Sequence, residues 1–132
     1  REWCLGSMEA ENNAVFMRNV TGWLGGGTSF AELNQRLPDI AAALYEHDAT
    51  GMAETFQAIK ERLKAAFVDI AQRHGMGDGS NILIITHAFA IKTIIHLFAP
   101  EQLGKVGKVK NASVFRLVFE NGVFSLEPDI QL

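Results

Sequence analysis

One cysteine in 132 residues, Cys4, is too few for an internal disulfide. A chain of this kind fits a reducing compartment, which points to the cytoplasm. Nothing in "EWCLG" is built to lower the thiol pKa, so Cys4 reads as a small packed residue and not a nucleophile. Long apolar runs are missing too. None reaches the roughly 18 residues of a membrane span. Ile82 to Ala99 comes nearest, but Thr86, His87, Lys92, Thr93 and His96 interrupt it. A basic surface is also lacking: the net charge of −3 argues against a nucleic-acid partner. There are no repeats, no low-complexity linker and no visible secretory signal. The chain starts at Arg1 without a methionine, and "REWCLGSMEAENN" reads like the interior of a protein, so upstream residues are expected.

What is present suits one globular domain. The length is enough to bury a core, and 48% hydrophobic with 20% charged residues is ordinary for a soluble protein. Gly25, Gly26 and Gly27 mark a loop. Ser29 and Glu32 form a capping-box pattern at the start of a helix. The stripe Phe30, Leu33, Leu37, Ile40, Ala41 and Leu44 follows helical spacing. Pro38 lies inside it and cannot donate a ladder hydrogen bond, which predicts a kink or two abutting helices. A longer helix carries Phe56, Ile59, Leu63, Phe67 and Ile70 on one face. On its exposed side Asp69 and Arg73 form an i,i+4 pair. His74 falls in the last turn and Gly75 just past it. His47, beside Asp48 at another helix end, reads as structural.

The segment "NILIIT" after the turn at 75–80 is apolar on both alternating faces. That is the pattern of a strand covered on both sides, as in a parallel sheet. A helix from Ala88 to Ala99 follows at once. It is apolar almost all round, with Lys92 and His96 expected on a solvent-facing stripe, so His96 too reads as structural. The lysines of "GKVGKVK" predict a solvated loop. At the end, Asn121-Gly122 is a strong hairpin signal. A two-residue loop there pairs Glu120 with Val123, Phe119 with Phe124, Leu117 with Leu126 and Arg116 with Glu127.

His87 stands where the apolar strand ends and the helix begins. A histidine at a strand end is often only a hydrogen-bonded residue of the core rim. However, ligands of open α/β sheets collect at the carboxyl ends of strands. First-turn amides and the helix dipole favour an anion there, phosphate above all. No carboxylate neighbours His87 in sequence, which gives no metal-site pattern. Glu2, next to Trp3, is a candidate general acid if burial raises its pKa.

The stretches "REWCLGSMEAENN", "MAETFQAIKERL", "ILIITHAFAI" and "KNASVFRL" occur in an order that resembles the histidine phosphatase superfamily, which includes the cofactor-dependent phosphoglycerate mutases. Glu2, Trp3, Gly6 and Glu9 look like its Glu–aromatic–Gly–acidic pattern. Thr86-His87 looks like its Ser/Thr-His at a strand end, and Asn111, Ala112 and Ser113 like the motif before its last hairpin. The resemblance implies phosphoryl transfer through a phosphohistidine. His87 would be the donor to the transferring group and Glu2 the proton donor. Ala88 and Trp3 would be substrate-binding residues, with the Ala88 amide on the phosphate. Small phosphorylated substrates are implied, with no metal or other cofactor.

The departures are specific. Ala88 and Ala10 stand where the family usually has glycine. The Arg-His-Gly nucleophile motif is absent, since the only such triplet, Arg73 to Gly75, follows a helix. A further family arginine is missing as well. The expected fold is a three-layer α/β/α arrangement. It has a mostly parallel sheet and an antiparallel carboxyl-terminal hairpin, and it lacks the amino-terminal strand. Residues 1–132 would be a single domain, the carboxyl-terminal portion of a larger one. Alone, the chain is expected to be inactive. Two alternatives are a non-catalytic anion-binding or interaction module, and an unrelated α/β domain with a structural His87.

Overall fold

A computed structural model of the chain describes residues 2–26, 29–74 and 81–127. Gly27, Gly75 and the turn at 75–80 lie outside the described residues. After a 3-10 turn at Gly6–Met8, helix α1 runs over Asn13–Trp23. The Asn12 side chain starts it by accepting the N–H groups of Ala14 and Val15 at 3.1 and 3.0 Å. This helix has no counterpart among the sequence-based expectations. It buries only Phe16 and Val20, a stripe too sparse to stand out.

Helices α2 (Phe30–Gln35) and α3 (Leu37–Glu46) follow. Ser29 and Glu32 form the expected capping box, each holding the other's backbone N–H. Pro38 is the reason for the break. It sits in the first turn of α3, where an N–H has no intrahelical partner to lose. Helix α4 (Phe56–His74) buries Ile59, Leu63 and Ala71. Asp69 and Arg73 pair on its outside at 2.8 Å. His47 ends α3, stacked on Trp23 with its Nδ1 2.9 Å from the Ala43 carbonyl. That is a structural role, as expected.

Helix α5 (Ala88–Phe98) is the central element of the core, packed by α4, by a second 3-10 segment at Pro100–Lys105 and by the hairpin. It buries every residue from Ala90 to Ile95. This overturns the expected solvent-facing stripe. Lys92 is only 9% exposed and lays its stem along the core, with Nζ 5.7 Å from the Phe89 ring centre. His96 is partly buried, edge-on to Phe56 at 5.1 Å. In the lysine loop the charged residues are exposed, while Val106 is buried and Val109 packs on the core. Asn34 anchors this loop by donating its side-chain N–H to the Val106 carbonyl.

Strands β1 (Leu117–Glu120) and β2 (Val123–Leu126) form the hairpin in the expected register. Arg116 and Glu127 extend it through a 3.2 Å ion pair. It is the only sheet among the described residues. The mostly parallel, three-layer sheet is therefore not seen. Residues 81–87 carry no ladder, and Leu83 and Ile85 are 82% and 89% exposed. The physical reason is that a strand exists only by pairing. An apolar segment with no neighbour offers its backbone and both faces to solvent. Beside it opens a cleft of about 1850 Å³.

Candidate active site

The amino-terminal segment crosses the core and brings Glu2 to the start of α5. Trp3 is the anchor. It is 2% exposed, stacks on Phe89 at 4.7 Å and donates its Nε1–H to Thr93 Oγ1 at 2.9 Å. Burying a side chain of this size stabilises by about 2–3 kcal/mol. The expectation that Trp3 touches substrate does not fit this position, because its ring and its N–H are both used inside the core. Its place is beneath the site.

Glu2 Oε1 accepts two backbone N–H groups, from Trp3 at 3.0 Å and from Ala90 at 3.1 Å. Glu2 Oε2 lies 3.8 Å from His87 Nδ1. The structure thus brings Glu2 and His87 together. Burial pushes the Glu2 carboxyl above its ordinary value. The Trp3 amide, the His87 charge and the amides of Ala90 and Phe89 pull the other way but do not prevail. A carboxyl group raised in this manner can hold a proton and give it up.

His87 occupies the N-cap position of α5, yet its side chain makes no capping hydrogen bond. Glu2 takes that part by accepting the Ala90 N–H, which leaves the imidazole 66% exposed at the cleft. Ala88 is the first helical residue, so its N–H has no intrahelical acceptor. It is exposed on the same cleft, and its helical conformation calls for no glycine. Ala10 differs. Its φ of 63° lies in the left-handed region, where a methyl group costs about 1–2 kcal/mol, so a glycine there has a steric reason. Ala112, on a turn that also lines the cleft, has a φ of 61°.

Three residues that sequence reasoning missed hold the Glu2 segment. Asp48 accepts the N–H and hydroxyl of Ser7 at 2.8 and 2.9 Å, and also the amides of Thr50, Met52 and Ala53. The Thr50 hydroxyl and the Ala53 amide, aided by the Thr50 amide and the Ser7 hydroxyl, hold its carboxyl well below the usual carboxylate range. Gly6 (φ 58°) packs so closely on this carboxylate that a Cβ would sit 2.3 Å from Asp48 Cγ. Glu54 and Arg62, a 2.8 Å ion pair, grip the backbone around Trp3. The only local signal was the glycine of the Glu–aromatic–Gly pattern. Its partner lies 42 residues away, by the numbering of Gly6 and Asp48.

Residues 17–128 match the family model of the histidine phosphatase superfamily, branch 1. The chain belongs to that superfamily. His87 lies within the matched residues and Glu2 outside them. A crystal structure of phosphoglycerate mutase from Bacillus anthracis strain Sterne is similar over 96% of this chain, with a TM-score of 0.81 and 24% identity. At that identity the likeness shows the fold alone. The chain spans 55% of the length of that mutase. No curated protein matches the sequence. No helix among the described residues is long and apolar enough to cross a membrane.

Proposed function

We propose that this chain is the carboxyl-terminal part of a histidine phosphatase domain acting on small phosphomonoesters. The observation that carries this reading is the pairing of Glu2, its carboxyl raised by burial, with His87 at the N-terminus of α5. His87 and the Ala88 N–H would bind the transferring phosphoryl group. A nucleophilic histidine outside these residues would attack phosphorus as the bond to the ester oxygen breaks. Glu2 would give its proton to the departing alkoxide. Water would then attack the phosphohistidine, lose its proton to the Glu2 carboxylate and release phosphate. In the same reading Ile82–Ile85 is an inner strand of a parallel sheet whose partners lie outside this chain. His74 is not taken as a substitute nucleophile, since it ends α4, is exposed and is not among the residues lining the cleft.

One observation favours a second reading, an anion-binding module without turnover. Among the described residues His87 is the only histidine lining the cleft. Titration with phosphate or vanadate, followed by the imidazole NMR signals of His87, tests the site that both readings share. Saturable shifts, lost in His87→Ala together with anion affinity, support it. An unchanged affinity in His87→Ala sinks both. Measured hydrolysis of a phosphomonoester by this chain alone, abolished by His87→Ala, would contradict the need for an outside nucleophile. The coding sequence upstream of the Arg1 codon separates the readings. An in-frame apolar strand followed by Arg-His-Gly supports transfer, and a start codon there supports the binding module.

A further inference from the structure

We propose that Glu54 and Arg62 form a clamp that positions the Glu2 carboxyl group by holding the backbone on both sides of Trp3. The inference rests on the reading of Glu2 as the proton donor and assigns it a mechanical support.

The pair reaches the backbone on both sides of Trp3. Arg62 donates Nε–H to Glu54 Oε1 at 2.9 Å and Nη2–H to Glu54 Oε2 at 2.8 Å, a two-pronged pair. The same Nη2 donates to the Glu2 carbonyl at 3.1 Å. Glu54 Oε2 accepts the Cys4 N–H at 2.9 Å, and the Glu54 N–H donates to the Cys4 carbonyl at 3.2 Å. The pair therefore holds the carbonyl before Trp3 and both backbone groups of Cys4 after it. Trp3 itself is pinned from the other side by Thr93 and Phe89. With this tripeptide held at three points, only the Glu2 side-chain torsions are left to aim its carboxylate at the Ala90 N–H and His87.

A pair that merely stabilised α4 would need no contact with the amino-terminal segment. Asp69–Arg73 is such a pair, exposed and formed within α4 between residues one turn apart. Glu54 and Arg62 are instead partly buried, with side chains 16% and 29% exposed, so solvent screens them less. Arg62 reaches the backbone only because its guanidinium is a planar fork at the end of a long stem. Lysine carries its three N–H donors on one nitrogen and lacks the planar fork that meets both Glu54 oxygens in parallel while reaching the Glu2 carbonyl.

The test follows the Glu2 carboxyl carbon through a pH titration by NMR, together with the exchange rate of the Ala90 amide proton. It uses the unaltered chain, Arg62→Lys, Glu54→Gln and the control Arg73→Lys. In the unaltered chain Glu2 titrates above its ordinary 4.5. In Arg62→Lys the midpoint falls toward 4.5, because a freed carboxylate reaches water. Ala90 exchange then quickens about tenfold, the equivalent of one lost hydrogen bond. Arg73→Lys moves neither. A folded Arg62→Lys with both readouts unchanged overturns the clamp and leaves Glu2 as the acid. A Glu2 that titrates at its ordinary value in the unaltered chain overturns the proton-donor reading and this inference with it. If Arg62→Lys does not fold, Glu54→Gln decides by the same readouts, since it keeps an acceptor for Cys4 and weakens the hold on Arg62.

Discussion

Glu2 and Ala90 stand 88 residues apart in the chain and are joined by a 3.1 Å hydrogen bond. Through it a carboxylate from the amino-terminal segment caps the helix that begins after His87. A serine, threonine or aspartate at position 87 would cap its own helix. Histidine does not, and the long-range cap is what leaves its ring free for the cleft.

The cap makes Glu2 a stability determinant with an unusual pH signature. Its carboxyl is raised in the folded state, so the folded chain binds more protons than the unfolded one above pH 4.5. Stability from this group is highest below 4.5 and falls as pH rises through the folded value. Glu2→Gln keeps an oxygen acceptor and does not titrate. Urea denaturation at several pH values should show the variant gaining on the unaltered chain as pH rises from 4 to 7. Glu2→Ala removes the cap and should cost about 1 kcal/mol at pH 4.

Gly6→Ala should be among the most disruptive single-methyl changes. The new Cβ meets the Asp48 carboxylate at 2.3 Å, and the backbone is left-handed at φ 58°. The conformation alone costs about 1–2 kcal/mol and the clash adds to it. Denaturant unfolding should show a loss of at least about 2 kcal/mol. A loss under half that would mean that the Asp48 loop shifts freely.

Lys92→Met should stabilise the fold at neutral pH. Burial lowers the Lys92 pKa, and Met keeps its length without the charge. The gain should be about 1 kcal/mol near pH 7. Below the folded pKa both states carry the charge and the penalty is complete. As pH rises from there through the unfolded value of 10.5, stability returns to the lysine form and the difference closes. Thermal unfolding at pH 7 and above 10.5 measures both ends.

Leu83→Lys and Ile85→Lys should reduce self-association with little effect on folding. Both side chains are exposed on an apolar segment that pairs with no strand among the described residues, a template for pairing with another chain. Light scattering against concentration should show less association in the variants. Unfolding free energy should stay within about 0.5 kcal/mol. A loss of several times that would mean the segment already packs within the chain.

What was legible beforehand is what depends on neighbours in sequence. The capping box at Ser29, the break at Pro38, the face of α4 and the hairpin register all follow from spacing within a few residues. His87 stood out as a candidate for the same reason, being a polar residue at a junction of two local patterns. The tertiary structure decided the rest. It made Trp3 a core anchor, buried Lys92, and recruited Asp48, Glu54 and Arg62 to the Glu2 segment. It also set Glu2 against the helix of His87. These contacts cross tens of residues and exist only once α4 and α5 have packed. Periodicity carries the identity of each face, and it does not carry which distant polar group will meet it. The apolar run Ile82–Ile85 marks the limit from the other side. Its pattern specifies a strand, but a strand needs a neighbour, and none pairs with it among the described residues.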